Sequence, residues 1–151
     1  ALEMHAGNAA VAQEGCAAIL LLATWGSDGR YEQLMRAGAT ARIMAALEMH
    51  AGNAAVAQRG CTATAYLGRG SDGRCEQLMR AGATARIMAA LEMHAGNADV
   101  AEGCCMAIAS LGRGSDGRCE QLMRAGATAR IMAALEMHAG NAGVAEGGCA
   151  A

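Results

Sequence analysis

EQLMRAGATARIMAALEMHAGNA, residues 32–54, returns letter for letter at 76–98 and 120–142, and its closing portion ALEMHAGNA also opens the chain. His5, His50, His94 and His138 mark one place in four successive units, separated by 45, 44 and 44 residues. A period of this size signals stacked supersecondary units and not one closed globule. Each unit is too short to cover its own apolar face, so it must bury that face against the next copy. Identity over twenty-three positions in three units implies recent duplication or deliberate consensus construction, because core packing alone tolerates many apolar exchanges.

Composition then sets the fold class. The chain of 151 residues is 54% hydrophobic but has no Phe and no Pro, and its twelve basic residues are all Arg. Its bulk comes from Leu, Ile, Met and Ala, which favour helix, while the β-favouring aromatic residues are scarce. The expected class is all-α, with small side chains letting helices approach closely. Formal net charge is −2 and Arg alternates with acids in every unit, so no basic surface for nucleic acid is expected. The longest apolar run, residues 16–25, is about half of what a membrane span needs, and no signal-peptide pattern precedes it. No membrane insertion is expected. Because the first letters fall in mid-unit and the last inside a helix, the reading expects a segment of a longer protein.

Within residues 27–70, Ser27 or Asp28 is expected to cap a short helix reaching Arg36, which Gly38 ends. Thr40 then offers an N-cap to a second helix running through His50, with Ile43, Met44, Leu47 and His50 forming its inward stripe. Gly52 and Asn53 mark a stop and a new start, opening a third helix to about Leu67 whose Val56, Gly60, Ala63 and Leu67 share a face. Arg42 and Glu48 fall on the polar side. The same reading divides the chain into the end of a first repeat at 1–26, full repeats at 27–70 and 71–114, and a repeat at 115–151 truncated in its third helix. One extra residue between Cys16 and Ser27 is expected to fall in the turn between repeats.

Two ladders invite chemistry. Cys16, Cys61, Cys105 and Cys149 recur once per unit, so successive copies should lie about 10 Å apart. A disulfide needs Cα atoms within about 7 Å, so this ladder is not expected to crosslink. Cys104 beside Cys105 diverges from it on a helix, and no CxxC spacing marks a zinc site. The expectation is buried free thiols acting as small hydrophobes, with Cys75 and Cys119, which replace Tyr31, more exposed. An odd count of seven cysteines without a signal sequence leads to the expectation of a reducing intracellular compartment, the cytoplasm in the first instance with the nucleus left open. The His ladder is spaced too widely to share a metal and reads as packing at the end of the second helix. Every candidate nucleophile or base recurs in each unit, and SDGR at residues 27–30 lacks the glycines and Lys of a phosphate loop. No catalytic residues, no metal and no cofactor are expected.

A three-helix unit of about 44 residues, short then long then long with Gly between the first two, resembles an armadillo repeat. The wording, with Arg30 and Ala37-Gly38 early, then Leu47-Glu48-Met49-His50, Asn53, Val56 and Gly60-Cys61, is similar to the armadillo subgroup with the pattern AMxxHxxNxxVQExGCxALxNLA. Arrays of that kind occur in eukaryotic scaffold proteins and beside the catalytic domains of some leucine-rich-repeat kinases. The resemblance implies a right-handed superhelical solenoid whose third helices line a concave groove for extended peptides or partner domains. In importin-like and catenin-like members an Asn on each third helix clamps the ligand backbone, often with a Trp one turn earlier. Here Leu21, Tyr66 and Ser110 fill the Asn positions, and Ala17, Thr62 and Met106 lie one turn before. Recognition is therefore assigned to residues that vary against the identical background: Leu20, Leu21, Thr62, Tyr66, Arg69, Met106, Ser110 and Arg113. The functional expectation is a non-catalytic scaffold binding protein partners. Alternatives are an architectural spacer or fixed subunit of a large assembly, or the binding array of a longer enzyme such as a kinase. Uncapped terminal repeats add an expectation of end-to-end self-association.

Overall fold

Asn8, Asn53 and Asn97 each stand in extended backbone just ahead of a helix, and their side-chain oxygens accept from backbone amides of the first turn. These caps open the third helix of successive units. The computed structural model describes residues 7–150, so His5 lies outside the described residues. Among the described residues the helices are α1 (Ala9–Thr24), α2 (Asp28–Arg36), α3 (Ala39–Met49), α4 (Ala54–Gly68), α5 (Asp72–Arg80), α6 (Ala83–Met93), α7 (Ala98–Gly112), α8 (Asp116–Arg124), α9 (Ala127–Met137) and α10 (Ala142–Ala150). None is long and apolar enough to cross a membrane.

The short first helices stop at a glycine because the chain must turn left-handed there. Gly38, Gly82 and Gly126 have φ of 86°, 93° and 91°, a region that costs a residue with a Cβ. The same glycines sit at the N-cap of the second helices, which corrects the cap expected at Thr40. Thr40 is inside α3 and buried, and its hydroxyl donates to Met35 Sδ at 3.1 Å. Ser71 and Ser115 cap α5 and α8 by accepting from the amides of Arg74 and Arg118, whereas Ser27 makes no side-chain cap bond. The extra residue of the first unit explains this difference. It does not enlarge the turn: α1 has 16 residues where α4 and α7 have 15, followed by three connecting residues in each case. The added residue shifts the helix end, so Gly26 lacks the positive φ that Gly70 and Gly114 adopt at 76° and 77°.

Third helices pack side by side along the array, α1 on α4, α4 on α7 and α7 on α10, while the second helices α3, α6 and α9 form a neighbouring row. The result is an all-α helical repeat solenoid. Ile43, Val56, Leu67, Leu78, Ile87, Val100 and Leu111 are fully buried between the rows, each worth roughly 1.5–3 kcal/mol. Glycines on the third helices set the spacing. A Cβ at Gly60 would stand 2.7 Å from Leu47 Cδ2, and one at Gly103 would stand 3.1 Å from the Gln58 carbonyl and 2.8 Å from Thr62 Oγ1.

Polar contacts hold the register of the stack, one set at each of the last two junctions. Arg86 of α6 pairs with Glu48 of α3 at 2.8 Å, and Arg130 of α9 with Glu92 of α6 at 3.1 Å. His94 Nε2 lies 2.7 Å from the Ala51 carbonyl oxygen, and His138 Nε2 lies 2.8 Å from that of Ala95. Each imidazole thus engages the turn of the preceding unit, a more specific role than general packing at a helix end.

The arginine of the SDGR turn is the third tie. Arg74, 5% exposed, donates from Nε to the Leu67 carbonyl at 2.8 Å and from Nη2 to that of Arg69 at 2.7 Å, so it satisfies carbonyls that the end of α4 leaves unpaired. It also lies over the Tyr31 ring, 4.5 Å from its centroid, and within 3.7 Å of Asp28 of the preceding unit. Arg118 repeats the arrangement on Leu111 and Arg113. Arg30, in the first turn of α2, is exposed and donates to Trp25 O.

Candidate partner-binding groove

The eight candidate residues lie along the third helices or, for Arg69 and Arg113, at their C-caps, but the structure gives them different tasks. Leu20 is half-buried against the core, and Leu21 is exposed. Thr62 donates its hydroxyl to Gln58 O at 2.8 Å and packs where a Cβ on Gly103 would go, so it belongs to the α4–α7 junction. Tyr66 is half-buried beneath the Arg69 guanidinium, which stacks 4.5 Å from its ring centroid. The four remaining positions converge. Arg69, Met106, Ser110 and Arg113 line one groove of about 610 Å³ running from the end of α4 across α7 to α10.

The groove's floor is built by inter-repeat hydrogen bonds. Ser110 Oγ donates to the Ala65 carbonyl at 2.7 Å, taking up an oxygen near the C-terminus of α4. The hydroxyl at this position therefore spends its proton on the neighbouring repeat and not on a ligand. Cys75, also in the lining, donates Sγ–H to Gly68 O at 3.1 Å and lies 3.4 Å from Ser110 O. It is buried, contrary to the expected exposure, because α7 covers it; Cys119, in the same place one unit on, is exposed. Burial pushes the Cys75 thiol above its ordinary pKa, with the nearby Arg118 opposing.

Reading variable positions on one helix face missed the acidic side of this groove. Asp72, Glu102 and Glu146 line it as well. A signal was present: the position is Gln13 and Gln58 in the first two units and Glu102 and Glu146 in the last two. The Glu102 carboxylate folds over Gly143, where a side chain would collide with it. Two guanidinium groups, three carboxylates and one thioether suit an extended segment carrying both charge signs, with Asp72 already engaged by Arg118 at 2.6 Å.

The thiols form a second feature. Cys16, Cys61, Cys104 and Cys105 are fully buried, and burial pushes Cys16 and Cys105 up to about 11. The expectation of no crosslink covered the ladder of Cys16, Cys61, Cys105 and Cys149; Cys104 stands outside it and meets one of its members. Cys104 Sγ–H points at Cys61 Sγ, 3.5 Å away across the α4–α7 junction, and this hydrogen bond together with burial raises the Cys104 thiol well above its ordinary value. Position-for-position spacing concealed this diagonal pairing. Among the described residues, no group of three or more His, Cys, Asp or Glu side chains is arranged to hold a metal ion.

No curated protein and no solved structure matches the chain. A family model does: the LRRK2 ARM repeat matches residues 1–150. With its ten described helices stacked as three-helix units and the same polar ties repeated at the last two junctions, this chain belongs to the LRRK2 ARM repeat family, a family of armadillo type.

Proposed function

We propose that the chain is a non-catalytic scaffold that binds protein partners along its third-helix groove. The observation supporting this reading is the convergence in one groove of Met106 and Ser110, which differ from Thr62 and Tyr66 at the equivalent positions, with Arg69 and Arg113, equivalent arginines of two successive units where the first has Trp25. Packing alone accounts for Thr62 and Leu20, but not for the exposed Arg69 and Arg113. The partner is a protein segment with both acidic and basic residues, not nucleic acid or a lipid bilayer. If the array sits in a longer enzyme such as a kinase, the same groove serves as its binding or regulatory module. Seven free cysteines support a reducing intracellular setting.

Quantitative affinity capture from a cell extract tests the reading, comparing the chain with an Arg69→Glu/Arg113→Glu variant. Both residues are exposed, so the melting midpoint should stay unchanged while a defined partner set is lost at least tenfold. An identical set captured by both chains overturns the groove assignment.

A second reading, an architectural role through end-to-end association, draws on Met132. It is 57% exposed, whereas Met44 and Met88, its equivalents in earlier units, are 5% and 6% exposed beneath the following repeat. The face that α8 and α9 present is therefore one that another repeat of this sequence would cover. Sedimentation should show mass rising with concentration, and Met132→Glu should abolish the rise; a monomer at all concentrations overturns it.

A further inference from the structure

Only the third of the four units places a cysteine where the others have glycine: Gly15, Gly60 and Gly148 correspond to Cys104. The substitution puts a second sulfur into the junction between α4 and α7, directly facing Cys61. The approach is close because Gly103, the preceding residue, has no side chain; a Cβ there would meet the Gln58 carbonyl at 3.1 Å. Both side chains are fully buried.

We propose that Cys61 and Cys104 are a reversible disulfide site that locks the second and third units together under oxidation by a peroxide. Sulfurs 3.5 Å apart need to close by about 1.5 Å to reach bonding distance, a shift that small side-chain rotations on two closely packed helices supply. In the first step one thiolate attacks a peroxide oxygen; the O–O bond breaks, hydroxide leaves, and the sulfur becomes a sulfenic acid. The second thiolate then attacks that sulfur, the S–S bond forms, the S–O bond breaks, and hydroxide is released to take up a proton. Two thiols and one hydrogen peroxide give one disulfide and two waters, and a dithiol reductant reverses the change by exchange. Because both sulfurs are sealed from solvent, oxidation proceeds through transient opening of the α4–α7 junction and is slower than that of the exposed Cys119 and Cys149. The crosslink ties helices that carry Ala65, Met106 and Ser110 into the groove, so it freezes the groove's floor whatever the partner is.

The test treats the full chain, carrying Cys119→Ser and Cys149→Ser to remove exposed thiols, with hydrogen peroxide. Remaining thiols are then alkylated in denaturant and tryptic peptides are read by mass spectrometry. A crosslink between peptides 60–69 and 87–113, lighter by two hydrogens and fragmenting at Cys104, is the expected main product. The melting midpoint should rise on the order of 10 °C and return with a dithiol. Cys104→Gly, which imports the residue of the other units, and Cys61→Ala should each lower the crosslink more than tenfold and remove the thermal shift. A dominant Cys104–Cys105 product, sulfinic acid without crosslinking, full alkylation of both cysteines, or an undiminished shift in both variants would overturn the proposal.

Discussion

Arg118 Nη2 lies 2.6 Å from Asp72 Oδ1, 46 residues earlier and one unit back, while its Nε and Nη2 also hold the carbonyls of Leu111 and Arg113. One buried guanidinium thus caps a helix C-terminus, anchors the next helix and ties two repeats. The partners are unequal: the Arg118 side chain is 6% exposed and that of Asp72 is 72% exposed.

That inequality predicts the outcome of removing either side. Arg118→Met should destabilise the fold by roughly 2–3 kcal/mol, because it strands two helix-terminal carbonyls. Asp72→Ala should cost less than about 1 kcal/mol, since its charge is solvated. Urea unfolding of the two variants checks the ordering; equal losses would remove the capping role from Arg118.

His94 Nε2–H donates across a single junction to the Ala51 carbonyl oxygen. His94→Ala should cost about 1 kcal/mol and raise amide exchange near residues 50–54, leaving the groove residues of α7 unchanged. Hydrogen exchange followed peptide by peptide is the measurement. Uniform loss of protection along the whole chain would show that the bond is not local to the junction.

Gly103→Ala is expected to cost about 1–3 kcal/mol despite alanine's higher helix propensity, because backbone and hydroxyl atoms of α4 occupy the space. Gly52→Ala provides the control. Nothing lies within 4 Å of a Cβ there, so stability should hold or rise by up to about 1 kcal/mol. Thermal melting of both variants settles the contrast, and a stabilised Gly103→Ala would mean that the helices can part without loss.

Raised thiol pKa values give stability a sign at alkaline pH. Cys16 and Cys105 hold their protons to about 11 in the fold, above the ordinary 9.0. Their contribution is complete below pH 9 and is lost as pH rises through about 11, where thiolate formation favours the unfolded chain. Melting midpoints in reducing buffer should therefore fall between pH 9 and pH 11, and less steeply in a Cys16→Ala/Cys105→Ala variant. Parallel slopes in the two proteins would assign the fall to other groups.

Periodicity and glycine placement made much of the architecture legible. Gly38 and Asn53 divide each unit because a left-handed turn and an N-cap are local requirements, written in one or two residues. Thr40 misled for the opposite reason: a threonine near a helix start resembles a cap until the left-handed glycine before it is seen to take that place. Met106 and Ser110 could be picked out by their variation, and Arg69 and Arg113 by their difference from Trp25, whereas Glu102 was hidden in a Gln-to-Glu exchange.

By itself the sequence determined the repeat length, the all-α class and the residues that cap and break each helix, because these depend on neighbours a few positions away. Tertiary structure alone decided which side chains meet across a junction: Cys61 with Cys104, His94 with Ala51, Arg118 with Asp72. Those encounters depend on the rotation and offset of one repeat against the next, which glycine-limited helix spacing sets and no one-dimensional period contains.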